Sequence, residues 1–192
     1  RYPGFELLMQ AGVVDLLEED GRIVGVRAQT KDGAMDVRAE LVVGADGRQS
    51  LVREKAGLLV QEFGVPIDVL WMRLARRPDD PEGVLAHVNA GHILVMLNRG
   101  DYWQCGFVIQ KGALDLWQQR GLPALQRSVA ETAPFVRDRV QELNDWSAIK
   151  LLTVKIDRLR EWCRAGLLCI GDGAHAMSPI AGGGTNLAFP DV

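Results

Sequence analysis

Leu167-Leu-Cys-Ile-Gly-Asp-Gly-Ala-His-Ala-Met-Ser-Pro-Ile-Ala-Gly-Gly-Gly-Thr-Asn-Leu187 reads as a buried strand that delivers one carboxylate, Asp172, onto a glycine-rich loop opening a helix. A short apolar run without alternation fits a parallel strand covered on both faces, and in sheets of that kind ligands gather at the carboxyl ends of the strands. Gly182, Gly183 and Gly184 have no Cβ to keep a ligand away from the backbone, and the helix start behind them offers free N–H groups. Asp172 is then placed to accept hydrogen bonds from ligand hydroxyls. The pattern is that of a chain holding a nucleotide.

A second segment repeats the theme. Leu41-Val-Val-Gly-Ala-Asp-Gly-Arg-Gln-Ser-Leu-Val-Arg53 is again an apolar strand that ends in an acidic residue and a glycine before a short helix, with Gly57 placed to cap that helix. Together the two segments resemble the flavoprotein aromatic hydroxylases, the para-hydroxybenzoate hydroxylase-like FAD-dependent monooxygenases. Gly44, Asp46, Gly47, Ser50 and Arg53 fall on the family's Asp-Gly motif. Gly171, Asp172, Ala174, His175, Pro179, Gly182, Gly184, Asn186, Ala188 and Asp191 fall on its Gly-Asp motif. Gly100 to Gly106 and Lys150 to Leu159 look like the family's substrate region, so the resemblance covers nearly the whole chain.

The resemblance implies an α/β (α+β) fold: a partial FAD-binding parallel sheet with a β-meander, plus an antiparallel substrate-domain sheet with helices. It divides the chain into a discontinuous cofactor domain, residues 1–59 and 157–192, and a substrate domain, residues 60–156. It implies FAD reduced by NAD(P)H, and oxygen transfer from a flavin C4a-hydroperoxide to an aromatic or similar small substrate. Asp172 and Gly171 would bind the ribityl chain. Gly183, Gly184, Thr185 and Asn186 would present backbone N–H groups to the flavin N1–C2=O edge, Gly182 would belong to the same cofactor-binding loop, and Pro179 would lie beside the reacting edge of the ring. Asp46, Gly47 and Arg53 would support the FAD diphosphate and the passing nicotinamide cofactor.

The family opens with a Gly-x-Gly-x-x-Gly turn that cradles the pyrophosphate, and that pattern does not occur in these 192 residues. The expectation is an internal fragment of a longer flavoenzyme, inactive alone. A rival of another class is a non-catalytic interaction module that associates through an exposed sheet edge. A related flavin-dependent reductase or halogenase is the enzymatic rival, the halogenase disfavoured by the lack of a tryptophan-rich signature.

Composition narrows the partners. The chain is 47% hydrophobic and 24% charged with net charge −3, ordinary for a core-forming globular protein. Its scattered Lys and Arg residues give nucleic acid no electrostatic footprint. No apolar run reaches membrane-spanning length. Cys105, Cys163 and Cys169 read as buried free thiols in a reducing cytoplasm, and their spacing suits no zinc site.

Along the chain, runs at 12–19, 22–30 and 35–43, parted by Asp20-Gly21 and Asp32-Gly33, predict an antiparallel meander whose last strand continues into the sheet beneath Asp46. Strands are expected at 68–76, 83–88, 92–97 and 102–109, with a hairpin at 98–101 and a solvated loop at Arg77-Pro-Asp-Asp-Pro81. Leu122, Leu125, Val129 and Ala133 predict a helix; Pro134, Val136, Val140 and Leu143 predict a second; Lys150 to Asp157 is one more strand. Taken singly, the site residues have bland readings. Asp46 alone is a helix cap, Arg53 a solvated charge, and His175, with no carboxylate evident nearby, a structural imidazole. His87 and His92 read as passive, and Trp71, Tyr102 and Trp103 as sheet packing. Pro190 is expected to end the last helix, which leaves open the part of Asp191.

Overall fold

The computed structural model describes residues 3–89, 91–178 and 184–191. They form two units, Arg1–Gly64 with Lys155–Val192, and Val65–Val154.

The first unit is built from three small sheets. β1 (Gly12–Glu19), β2 (Arg22–Thr30) and β3 (Gly33–Arg38) make the meander. Asp20 and Gly21 turn the first hairpin with φ of 49° and 77°, the two positive values a twisted two-residue hairpin needs. The second turn is Lys31-Asp32, and Gly33 already pairs with Thr30. β3 stops at Arg38 rather than running on to Val43. A separate strand, β4 (Val42–Gly44), pairs in parallel with β13 (Leu167–Cys169), which also pairs with β12 (Cys163–Arg164). The break at Ala39–Leu41 is physical: the same chain cannot serve an antiparallel ladder and a parallel one in a different sheet without redirecting its hydrogen bonds. The third sheet sets β11 (Ile156–Leu159) between β5 (Val60–Phe63) and β14 (His175–Ala176). Ile23, Val42, Val52, Leu159, Leu167 and Cys169 lie in its apolar core.

The second unit is one five-stranded antiparallel sheet in the order β10-β6-β9-β8-β7, formed by β6 (Ile67–Ala75), β7 (Val84–Asn89), β8 (His92–Asn98), β9 (Tyr102–Gln110) and β10 (Lys150–Leu152). α2 (Leu114–Arg120) and α3 (Leu122–Thr132) cover one face, α1 (Leu51–Lys55) belonging to the first unit. Leu70, Phe107, Leu94 and His87 stand opposite one another on that face. The other face carries the row Trp71, Gly106, Val95 and Ala86. Gly106 is what lets the indole lie across the sheet: a methyl there would stand 3.2 Å from the Trp71 ring.

Several expectations change here. The predicted helix from Pro134 is instead a series of 3-10 turns, because the Phe135 carbonyl accepts from the Arg139 guanidinium (2.7 Å) while the Arg139 backbone N–H turns back to Val136. The strand expected over 150–157 is two, β10 and β11, which belong to different sheets and different units. The loop 77–81 is not wholly solvated. Asp80 is buried and takes a bidentate pair from Arg139 (2.6 and 2.8 Å) and the indole N–H of Trp103 (2.8 Å). Of the thiols, Cys163 is exposed on its two-residue strand, while burial pushes Cys105 up to about 12 and Cys169 to about 11.

Candidate cofactor site

The site lies at the carboxyl ends of the one parallel pair among the described strands. Gly44 pairs with Cys169, and both chains then carry an aspartate past the sheet edge, Asp46 and Asp172. Gly173 fits the two turns together: a methyl there would stand 3.3 Å from the Gly44 carbonyl and 3.5 Å from an Asp46 oxygen.

Behind Asp46 begins α1 (Leu51–Lys55). Asp46 Oδ2 accepts from the Val52 N–H (3.0 Å), and Ser50 caps the helix by accepting from the Arg53 N–H (3.0 Å). At the other end Gly57, at φ 67°, donates to the Glu54 carbonyl and Leu58 to that of Arg53, the paired bonds of a Schellman cap. The helix is five residues long, so these caps supply much of its hydrogen bonding.

Arg53 is not a solvated charge. It is buried, and its guanidinium donates to both oxygens of Asp157 (3.0 and 3.2 Å), to the Arg48 carbonyl (2.7 Å) and to the Gly173 carbonyl (3.3 Å). One side chain thereby ties the Asp-Gly turn, the Gly-Asp turn and β11. Asp157 lies in the stretch that resembles the family's substrate region, but an acid in a short strand announces no partner 104 residues away.

Asp172 is different in kind. Its side chain is 45% exposed, and its nearest ion-pair neighbour is Arg48 Nε at 3.7 Å, too long for a direct hydrogen bond. Gly171, at φ 57°, sets the turn before it. The Gly171 N–H donates to Asp191 Oδ2 (2.8 Å), and the same oxygen lies 2.8 Å from His175 Nε2. The imidazole thus has the carboxylate partner that local sequence did not reveal. Burial would raise the Asp191 carboxyl, but these two hydrogen bonds and the imidazole outweigh it and hold it below the usual carboxylate value. Pro190 does limit the helix: α4 runs Gly184–Ala188, and the 3-10 turn Phe189–Asp191 carries the carboxylate to Gly171.

Gly184 and Asn186 open α4, and Thr185 lies between them. Pro179, Gly182 and Gly183 fall outside the described residues. An open cavity of about 470 Å³ beside α1 has Arg48, Ser50, Arg53, Glu54, Leu58 and Lys155 in its wall, which mixes three cations and one carboxylate with polar and apolar residues. His87 and His92 lie on the helix-covered face of the other unit, packed on Phe135 and on Phe107 and Trp117. Trp103 is buried, as packing requires.

The family model described as FAD binding domain matches residues 2–192. The 6-methylpretetramide 4-monooxygenase of Streptomyces rimosus is 34% identical over the whole of this chain, which spans 46% of that protein's length. Among solved structures, 2-methyl-3-hydroxypyridine-5-carboxylic acid oxygenase superposes with a TM-score of 0.72 at 20% identity, over 93% of this chain and 48% of its own. The myxobacterial chondrochloren halogenase CndH does so with a TM-score of 0.77 at 20% identity, over 93% and 43%. At that identity the two structures are similar to this chain in fold.

Proposed function

This chain belongs to the FAD-binding domain family of flavin-dependent monooxygenases, and from that premise we propose that it forms part of an enzyme that hydroxylates an aromatic or similar small substrate with NAD(P)H and dioxygen. The observation that carries the reading is the half-exposed Asp172 at the end of a parallel strand, beside a second motif turn packed within van der Waals reach. A carboxylate buried in an ion pair would not fit a ribityl chain; this one does.

In this reading residues 1–59 and 157–192 form the cofactor domain and 60–156 the substrate domain. Asp172 accepts from ribityl hydroxyls, in a charge-assisted bond stronger than a neutral one. Gly171 shapes the turn, and the backbone from Gly182 to Asn186 lies along the flavin ring, with Pro179 at its reacting edge. Asp46, Gly47 and Arg53 act on the diphosphate from behind: Asp46 holds the start of α1, and Arg53 holds the two turns at their spacing. Arg48 and Lys155 give the neighbouring cavity the positive charge that a phosphate-bearing nicotinamide cofactor requires. Bound flavin supplies electron uptake from the nicotinamide and activation of oxygen. The half-buried sheet face with Trp71 laid over Gly106 offers a flat apolar surface to an aromatic substrate. Free thiols at Cys105, Cys163 and Cys169 accord with a cytoplasmic setting.

The test is direct. The full-length protein that carries this chain should purify with the flavin absorption bands and consume NAD(P)H and oxygen in the presence of phenolic substrates. A colourless protein that takes up no added FAD would refute the proposal. A second reading rests on a separate feature: among the described residues no strand pairs with the outer edge of β4, where Leu41 and Val43 are exposed. Self-association through that edge would appear as a concentration-dependent mass in sedimentation.

A further inference from the structure

We propose that His175 and Asp191 are a positioning pair that clamps the Gly171–Asp172 turn for the flavin; this rests on the FAD reading above. Asp191 Oδ2 accepts from the backbone N–H of Gly171 and meets His175 Nε2, each at 2.8 Å, with the two side chains 7% and 17% exposed. The imidazole is itself fixed from two sides. Its ring stacks on Trp162, centroids 4.8 Å apart and planes 25° apart, and its backbone pairs with Arg158 of β11. Arg158 in turn places its guanidinium 5.6 Å from the Trp162 ring centre.

The order of connection is therefore Trp162, His175, Asp191, the Gly171 amide, and then Asp172. Asp191 is reached along the chain by passing through the whole glycine segment and α4, yet it bonds back to the residue preceding Asp172, 20 positions earlier. It thereby ties the 3-10 turn after α4 to the turn after β13. A methyl at Gly171 would lie 3.5 Å from the Ala188 Cβ, so α4 also packs on the turn. Without the carboxylate, the Gly171 amide loses its acceptor and the turn that carries Asp172 loses its tie to the 3-10 turn after α4, and the freedom this turn regains must be lost again whenever the cofactor binds. Neither residue is assigned a contact with flavin; both act through the turn that carries Asp172.

The experiment is a set of FAD dissociation constants, read by flavin fluorescence on the full-length apoprotein. Asp191→Ala and His175→Ala should each weaken binding by about 10-fold, the scale of a hydrogen bond to a charged group. The double variant should be no weaker than the worse single one, because both break one connection. His175→Gln, whose amide nitrogen can donate where Nε2 does, should recover affinity to within about 2-fold of wild type, a rescue that loss of general packing would not show. Single effects that add in the double variant, a glutamine variant as weak as the alanine, or affinities unchanged throughout would each overturn the clamp. Wild-type protein that takes up no FAD would instead overturn the cofactor reading beneath it.

Discussion

Arg53 and Arg139 are both buried and both bidentate on a single aspartate, yet they serve units built in different ways. In the second unit a continuous core runs from Leu70 and Phe107 through Trp117 and Leu125 to Val140 and Ile149, and the Arg139–Asp80 pair fastens a loop onto its margin through the Trp103 indole. In the first unit the apolar core is smaller, spread under three short sheets, and the Arg53–Asp157 pair stands where the two motif turns meet. A large core sets its own geometry through packing. A small one leaves geometry to directional bonds, and that is the unit in which the proposed flavin site lies.

The sharpest test of this contrast is Arg53→Met. It strands Asp157, whose side chain is 1% exposed, without a partner, at a cost of about 3–5 kcal/mol. The expected outcome in urea unfolding is a marked loss of stability accompanied by loss of FAD binding, since both turns lose their shared donor. Retained flavin affinity would show that the turns hold their spacing without it.

Asp80→Ala takes away the bidentate partner of Arg139 but leaves it the Asp138 carboxylate (3.2 Å) and the Ala75 and Phe135 carbonyls, so the expected cost is smaller, about 1.5–3 kcal/mol, the damage stays within the second unit and flavin affinity persists. The pH dependence has a definite sign. Arg139, hydrogen-bonded to Asp80, holds its carboxyl far below the ordinary value of 3.8 against the opposing effect of burial. The contribution of Asp80 is therefore fully present above the unfolded value and fades only as pH falls through the depressed folded one. Acid titration of the unfolding free energy should show this loss below pH 3.8 in wild type and lack it in Asp80→Asn.

Gly106→Ala is milder. The added methyl meets the Trp71 ring at 3.2 Å and the Val69 side chain at 3.2 Å, and the overpacking costs about 1–3 kcal/mol. Tryptophan fluorescence should report the displaced indole, and a substrate that stacks on Trp71 should bind less well. Unchanged substrate affinity with a displaced indole would remove Trp71 from the substrate surface.

Local signals were enough to read the strand–turn–helix shape of the Asp-Gly motif, the strand that leads to Asp172, the Asp20-Gly21 hairpin and the apolar face of α3, because each depends on residues a few positions apart. What escaped was of longer range. The redirection between Arg38 and Val42 depends on β13, more than a hundred residues downstream. Asp80 read as loop because its partners, Trp103 and Arg139, lie 23 and 59 positions away. Arg53 read as a surface charge for the same reason, and the bond between His175 and Asp191 depends on a 3-10 turn that Pro190 creates after α4. Polar partners at long range leave no periodic trace in a sequence, whereas apolar faces do.

Asp172 should show the smallest effect on the fold and a large one on binding. Its side chain is half exposed and 3.7 Å from Arg48, a surface separation worth little, so Asp172→Ala should leave unfolding free energy within about 0.5 kcal/mol of wild type. FAD affinity should fall by about 10-fold or more, the loss of a charge-assisted bond to the ribityl chain. Arg53→Met and Asp172→Ala then separate the two kinds of motif residue: one is needed for the shape of the site in the empty protein, the other for contact once the cofactor arrives. A variant at 172 that unfolds easily but binds FAD normally would reverse that assignment and make the carboxylate a scaffold element like Asp157.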